Sequence, residues 1–255
     1  MKLLSWNVNG LRAISQKPGF WDWFRESEAD YLAFQETKAS PDQLADDLLN
    51  PDNYLSYWAS STDKKGYSGV VTYTRDEPAG VVIELPDPQW QGEGRLVKLE
   101  TPSFHLLNVY FPNGQKDGER LQYKLGYFAA FLDYVRELRR TKPVIICGDL
   151  NTAHKSIDIA RPKENETTPN FLPIERAWLD RLVEAGFVDT FRLMNGDEVA
   201  YSWWSLRSRA RSQNIGWRVD YFFVSSELAG AVKRAWIEQE VAGSDHCPVG
   251  LELSL

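Results

Sequence analysis

Apolar and polar positions along this chain fall into short β-type runs broken by a few helical stretches, and most of the runs end in an amide or an acid. Lys2 to Val8 reads as a strand closing on Asn7-Val8-Asn9-Gly10, and Tyr31-Leu32-Ala33-Phe34-Gln35-Glu36 as a second one ending in a carboxylate. Tyr54 to Ala59 and Gly69 to Thr74 flank the loop Lys64-Lys65-Gly66-Tyr67-Ser68, and Val81 to Ile83 and Leu96 to Leu99 continue the β pattern. Phe104 to Tyr110 runs into the strong turn Tyr110-Phe111-Pro112-Asn113-Gly114. Tyr201 to Trp204, Val219 to Val224 and Val249 to Leu253 complete the strands. Helical spacing follows Pro18, with Phe20, Trp21 and Phe24 inward, and follows the capping-box sequence Ser40-Pro41-Asp42-Gln43 as far as Leu49. The longest helix is predicted over Gly118 to Arg139, carrying Leu121, Leu125, Phe128, Leu132 and Val135 on one stripe, and another from Pro173 to Glu184, stopped by Gly186.

The most informative run is Pro143-Val144-Ile145-Ile146-Cys147-Gly148-Asp149-Leu150-Asn151-Thr152. Its uninterrupted β-branched residues suit a strand buried on both faces. Gly148 relaxes the backbone, and Asp149 and Asn151 at period-two spacing point the same way on an extended chain. By themselves the two fit turn hydrogen bonding as well as they fit chemistry.

Composition narrows the classes. Hydrophobic residues make up 43%, with ten Trp and twelve Phe among 255 residues, which excludes disorder and allows a sizeable core. No linker or composition break divides the chain, so a single α/β domain spanning residues 1–255 is expected, with mixed sheets covered by helices. The net charge of −7 argues against a uniformly basic polyanion binder, though a basic face can be local. Two unpaired-looking cysteines, Cys147 and Cys247, only three His and no CxxC speak for a reducing compartment and against structural zinc. The start of the chain does not read as a signal peptide and no run approaches membrane-spanning length, so a cytoplasmic setting is expected.

Strand ends therefore present Asn7, Glu36, Tyr110, Asp149 with Asn151, and Asp245 with His246. Ligand sites in sheet-based folds gather at strand ends. The set is rich in hard oxygen donors, which favours Mg²⁺ or Mn²⁺ over zinc. Asp220, in a Tyr/Phe-rich strand, is unfavourable in a core unless partnered, and His246 is the natural partner for it.

Seven motifs carry a resemblance. Ser5-Trp6-Asn7-Val8-Asn9-Gly10-Leu11-Arg12, Gln35-Glu36-Thr37-Lys38, Gly66-Tyr67-Ser68-Gly69-Val70, Asn108-Val109-Tyr110-Phe111-Pro112-Asn113-Gly114, Gly148-Asp149-Leu150-Asn151, Gly216-Trp217-Arg218-Val219-Asp220-Tyr221 and Ser244-Asp245-His246 resemble, in order, those of the exonuclease III-like apurinic/apyrimidinic endonucleases of the endonuclease/exonuclease/phosphatase superfamily. The resemblance implies a four-layer α/β sandwich, two mixed sheets face to face between helices. It also implies Mg²⁺-dependent hydrolysis, Mn²⁺ substituting, of the phosphodiester 5′ to an abasic site in duplex DNA, leaving a 3′-hydroxyl, with 3′-phosphodiesterase and 3′→5′ exonuclease activities. Glu36 then matches the principal metal ligand, with Asn7, Asp245, Asp149 and Asn151 in the metal cluster. Asp149 matches the residue that handles the attacking water, Asp220–His246 the dyad at the phosphate, and Tyr110, Asn151 and Asn113 its supports. Asn9 stands where relatives carry either Asp or Asn. Trp203, Trp217 and Val219 match the apolar pocket for a flipped abasic sugar, and Arg12, Lys38, Tyr67, Lys116 and Arg207 are candidate DNA contacts, the last in the dense basic run Arg207-Ser208-Arg209-Ala210-Arg211. A monomer acting on abasic or 3′-blocked duplexes, away from membranes, is expected. A phosphatase or RNA nuclease of the same superfamily shares the catalytic set. A non-catalytic module would have lost some of it, whereas Glu36, Asp149, Asp220 and His246 are all present.

Overall fold

A computed structural model describes residues 1–114, 118–207 and 209–255; Lys116 lies outside the described residues. In chain order the strands are β1 Lys2–Asn7, β2 Tyr31–Gln35, β3 Leu55–Ala59, β4 Val70–Thr74, β5 Gly80–Val82, β6 Leu96–Glu100, β7 His105–Tyr110, β8 Val144–Asp149, β9 Phe187–Asp189, β10 Trp203–Trp204, β11 Gly216–Trp217, β12 Asp220–Ser225, β13 Val232–Ile237 and β14 Val249–Leu253. The helices are α1 Leu11–Ile14, α2 Phe20–Glu26, α3 Asp46–Leu49, α4 Gly118–Arg139, α5 Pro162–Asn165, α6 Pro173–Glu184 and α7 Thr190–Asn195.

Two six-stranded sheets form, in the orders β13-β14-β1-β2-β4-β3 and β5-β6-β7-β8-β12-β9, with β10-β11 as a separate ribbon. Each is antiparallel except for one parallel pair, β1–β2 in the first and β7–β8 in the second. The alternation in β8 shows why the sheets stack. Ile145 and Cys147 enter the core between the sheets, beside Leu99, Leu106, Leu3 and Leu251. Val144 and Ile146 face outward under α4 and α6, with Phe128, Phe131 and Trp178. The first sheet's outer face is covered by α1 and α2 through Trp6, Phe20, Phe24 and Phe34. The result is the helix–sheet–sheet–helix order that the resemblance implies. Each large side chain so buried contributes roughly 1.5–3 kcal/mol of transfer free energy.

Gly148 is indispensable to this arrangement. Its φ is 130°, and a Cβ there would sit 1.9 Å from the Val109 carbonyl oxygen of β7. A side chain would prise apart the two strands that carry Tyr110 and Asp149.

The predicted long helix is observed as Gly118–Arg139. The capping box at Ser40 is also present, but it closes only the 3₁₀ turn Pro41–Gln43, and α3 is a separate short helix. The predicted strand Tyr201 to Trp204 shrinks to β10. β13 and α7 were not read from the sequence. α7 exists because the Asp189 carboxylate accepts from the N–H groups of Phe191 and Arg192.

Candidate active site

One end of the sheet pair collects the predicted residues. Asn7 ends β1, Glu36 follows β2, Tyr110 ends β7, Asp149 ends β8 and Asp220 begins β12. Asp220 lies directly across the antiparallel pair from Asp149, so register alone sets two buried carboxylates together. Beyond the strand ends the chain turns sharply. Asn9, Glu36, Lys38 and Asn151 all take left-handed backbone, with φ of 48°, 51°, 51° and 47°. Such residues carry strain that their surroundings must hold. Here the loops are laced by Gly10 N–H to Glu36 O at 2.8 Å and Thr37 N–H to Gly69 O at 3.0 Å.

His246 is buried, with Nδ1 2.8 Å from Asp220 Oδ2 and Nε2 3.9 Å from Asp149 Oδ2. Burial disfavours its cation, but the Asp220 carboxylate, with Asp149 and Asp245 behind it, outweighs burial and lifts it to about 10. Burial, followed by the Asp220 charge, pushes Asp149 up to about 7, against the pull of His246 and two amide donors. Glu36 is half-buried, which alone would raise it, yet Lys38 at 2.9 Å and the Asn7 amide hold it below the usual carboxylate range. Burial and the neighbouring Glu36 keep the Tyr110 phenol protonated far above neutrality. At neutral pH the site thus holds an imidazolium, an ionised Glu36 and a carboxyl poised to exchange a proton.

Hydrogen-bond polarity fixes the amides. The Asn7 oxygen accepts from the Asn9 N–H, a group that can only donate, so its NH₂ faces Glu36 Oε1 and Asp149 Oδ2, both at 2.9 Å. Asn7 therefore bridges two carboxylates through its donors instead of offering them an oxygen beside a metal. Asn151 is turned the other way. Its NH₂ gives to the Phe111 carbonyl at 2.9 Å and to Asp149 Oδ2 at 3.3 Å, which leaves its oxygen for the site.

Glu36, Asp149 and His246 bring ligand atoms within 4.8 Å of one another. Asp245 stands outside that group. Its Oδ1 accepts from Asn9 Nδ2 at 2.8 Å and Ser244 Oγ at 3.2 Å, and its Oδ2 from the Trp203 indole at 3.1 Å. Lys38 is turned inward to Glu36 and to the Asn9 amide oxygen. Arg12 and Arg207 are exposed. Arg211, from the same basic run, is folded back on the carbonyls of Gln239, Val241 and Ser244 over the Trp204 ring.

A cavity of about 600 Å³ opens onto these residues. Its lining combines polar side chains, among them Glu36, Asp149, Asn113 and His246, with the apolar Trp203, Trp217 and Val219. The two indoles meet edge to face, 5.9 Å between centroids at 89°. Thr168, Pro169 and Asn170 complete the wall, a contribution that the sequence reading missed.

Buried cations were missed as well. Arg95 gives one hydrogen bond to the Tyr110 carbonyl at 3.0 Å and another to the Tyr67 hydroxyl at 2.8 Å, and stacks on the Tyr110 ring at 4.9 Å. Tyr67, expected at the DNA face, thus has its oxygen occupied by Arg95 and by Arg120 at 2.7 Å. Arg218 reaches Asp158 at 2.8 Å and Asp189 at 2.7 Å beneath the Trp217 ribbon. Lys124 lies buried under Asn151. A Lys or Arg at helical or strand spacing is the only signal that sequence gives for these, and it is the same for a surface residue.

The model of the Endonuclease/Exonuclease/phosphatase family matches residues 4–246. The chain is 44% identical to an exodeoxyribonuclease of Bacillus subtilis (strain 168), over 100% of both chains. It is 41% identical to the DNA repair nuclease APEX1 of Danio rerio, over 100% of this chain and 83% of that one. Among solved structures, an AP endonuclease from Archaeoglobus fulgidus superimposes with a TM-score of 0.91 at 25% identity, over 100% of both chains. Sequence, fold and the Glu36, Asp149, Asp220, His246 constellation agree, and the chain belongs to the endonuclease/exonuclease/phosphatase family of hydrolases.

Proposed function

We propose that this chain is a DNA repair nuclease that hydrolyses the phosphodiester 5′ to an abasic site in duplex DNA and leaves a 3′-hydroxyl. Removal of 3′ blocking groups and 3′→5′ exonuclease action would use the same centre. The observation that carries the reading is one cavity lined both by Glu36, Asp149 and His246 and by the apolar Trp203, Trp217 and Val219. A deoxyribose without its base fits such an apolar recess, and an intact nucleotide must first be drawn out of its stack.

The donor set suits a hard divalent cation. Two carboxylates, Glu36 and Asp149, converge, Asn151 turns an amide oxygen to the same place, and the imidazole Nδ1 is committed to Asp220. We assign Mg²⁺, with Mn²⁺ as substitute. When bound, the ion supplies Lewis-acid stabilisation of charge on the phosphate. The chain's own groups account for the rest. The His246 imidazolium, oriented by Asp220, presents Nε2–H to a phosphate oxygen. Asp149, at about 7, is matched to accept a proton from the attacking water at neutral pH. The protonated Tyr110 phenol and the Asn113 amide are further donors on the same wall. Exposed Arg12 and Arg207 would meet DNA phosphates without reading sequence. Among the described residues no helix is long and apolar enough to cross a membrane, and we take the protein to act as a monomer in the cytoplasm.

The test is a Mg²⁺-dependent assay on labelled duplexes bearing an abasic site, a 3′-phosphate or neither, beside an inositol phosphate. Incision at the abasic site is expected to dominate. Preference for the inositol phosphate would overturn the reading in favour of a phosphatase.

A further inference from the structure

Asn113 and Asn170 touch across the wall of the cavity, and which way each amide faces decides what Asn113 offers a substrate. The chain of hydrogen bonds begins at Lys124 on α4, whose ammonium is wholly buried. Its three N–H groups meet three acceptors: the Asn151 carbonyl at 2.7 Å, Asn170 Oδ1 at 2.9 Å and Glu175 Oε1 at 2.6 Å. The Gly114 N–H also points at Asn170 Oδ1, at 3.3 Å. Both groups can only donate, so the Asn170 atom they share is an oxygen. The opposite rotamer would set an NH₂ against an ammonium.

Polarity then passes outward. With its oxygen toward Lys124, Asn170 turns its NH₂ to Asn113 Oδ1 at 3.3 Å. The Asn113 carbonyl is consumed there, and its own NH₂ is left for the cavity, which both residues line. We infer that Asn170 is a positioning residue, and that the relay Lys124–Asn170–Asn113 holds Asn113 as a hydrogen-bond donor to a non-bridging oxygen of the scissile phosphodiester. Nothing in this relay binds a cation or moves a proton. It rests on the phosphodiesterase reading above and adds the sign of one contact within it.

The backbone of Asn170 is secured separately. Its φ is 75°, its N–H gives to Glu175 Oε2 at 2.7 Å, and its carbonyl accepts from the Ala153 N–H at 2.9 Å. An Asn170→Asp substitution is therefore nearly isosteric and keeps the acceptor for Lys124 and Gly114. It exchanges the donor that faces Asn113 for an acceptor, and Lys124 faces the negative charge it adds. The Asn113 amide then turns its NH₂ inward, and its carbonyl faces the phosphate.

The experiment compares the wild type, N170D, N113A and N113A/N170D on an abasic duplex with Mg²⁺ present. N170D should lose about 10- to 100-fold in kcat with KM little changed, the worth of one hydrogen bond to a charged group. In the N113A background the same substitution should change kcat less than about twofold, because the residue it acts through is gone. Equal losses in both backgrounds, or a wild-type rate for N170D alone, would overturn the inference. Neutron diffraction on crystals grown from the wild-type protein would read the relay without any activity. Deuterons on the Asn170 amide facing Asn113 are expected, and deuterons on the Asn113 amide facing Asn170 would refute it. A wild type inactive on every phosphodiester, with the amides as described, would instead count against the proposed function.

Discussion

Replacing Asp220 with Asn keeps the shape of the dyad and removes its charge, and the structure says what should follow. Burial lowers His246, and Asp220 is the largest of the influences that raise it to about 10. Without that charge His246 should fall toward its ordinary value of about 6.5. At about pH 7.5 a group at about 10 is almost wholly protonated, whereas one at 6.5 is protonated to about a tenth. A tenfold or larger loss of kcat is therefore expected near neutrality from protonation alone. Asp149 moves in the same direction, since the Asp220 charge is the second cause of its high value after burial. Asp149 then stays ionised at lower pH while His246 loses its proton sooner. Both limbs of the activity profile shift to the acid side, and much of the loss should be recovered near pH 6. Steady-state incision of an abasic duplex from pH 5.5 to 9.5 at fixed Mg²⁺ measures this, and ¹⁵N chemical shifts of the His246 ring report the titration directly. A uniform loss at every pH, with the optimum unmoved, would refute the claim that Asp220 acts by holding the His246 proton.

Two further outcomes concern the frame. Gly148→Ala should destabilise by several kcal/mol or prevent folding, because the new Cβ meets the Val109 carbonyl oxygen at 1.9 Å on a backbone with φ of 130°; a wild-type thermal midpoint by circular dichroism would contradict this. Asp158→Ala leaves Arg218 and Arg192 short of a buried partner and should cost about 3–5 kcal/mol in urea unfolding at pH 7. Burial would raise the Asp158 carboxyl, but Arg218 and Arg192 outweigh it and hold it below the usual range. Its stabilisation is therefore complete above about pH 4 and lost as pH falls through the folded value, so the gap between wild type and variant should close in acid. A gap that stays constant to pH 2 would show that the charge is not what is lost.

What sequence could show was set by what is local. The β-branched run of β8, the glycine after it and the period-two spacing of Asp149 and Asn151 are visible because strand geometry acts over neighbouring residues. The seven motifs place the site for the same reason. Arg95, Lys124 and Arg218 were not legible, since a cation is buried only when partners arrive from elsewhere. Glu175 stands 51 residues from Lys124, and Asp158 60 from Arg218. The basic run likewise looked uniform, yet Arg211 is consumed by three backbone carbonyls and Arg207 is not. The Ser40 capping box was read correctly as a local device, but the helix it was expected to start needs an apolar face beyond it. Only Leu48 of α3 is buried.

The amides make the sharper case, because residue type says nothing about which way they point. An Asn beside carboxylates looks like an oxygen ligand until a backbone N–H claims its oxygen. In Asn7 that donor is Asn9, and the consequence is physical. Glu36 and Asp149 are carboxylates converging from neighbouring strand ends, and each accepts an N–H from the one Asn7 amide. The amide screens one carboxylate from the other and fixes both before any cation arrives. Asn151, anchored through its NH₂ to the Phe111 carbonyl, then contributes the oxygen that Asn7 does not. The two amides thus divide their work by polarity, one holding the anions together and the other facing what the anions attract. Exchanging Asp149 for Asn would break this arrangement in either orientation, because its NH₂ would face the Asn7 and Asn151 amide donors at Oδ2 or the Asn151 backbone N–H at Oδ1. The strand places the acid, and the amides around it decide that it has to be an acid.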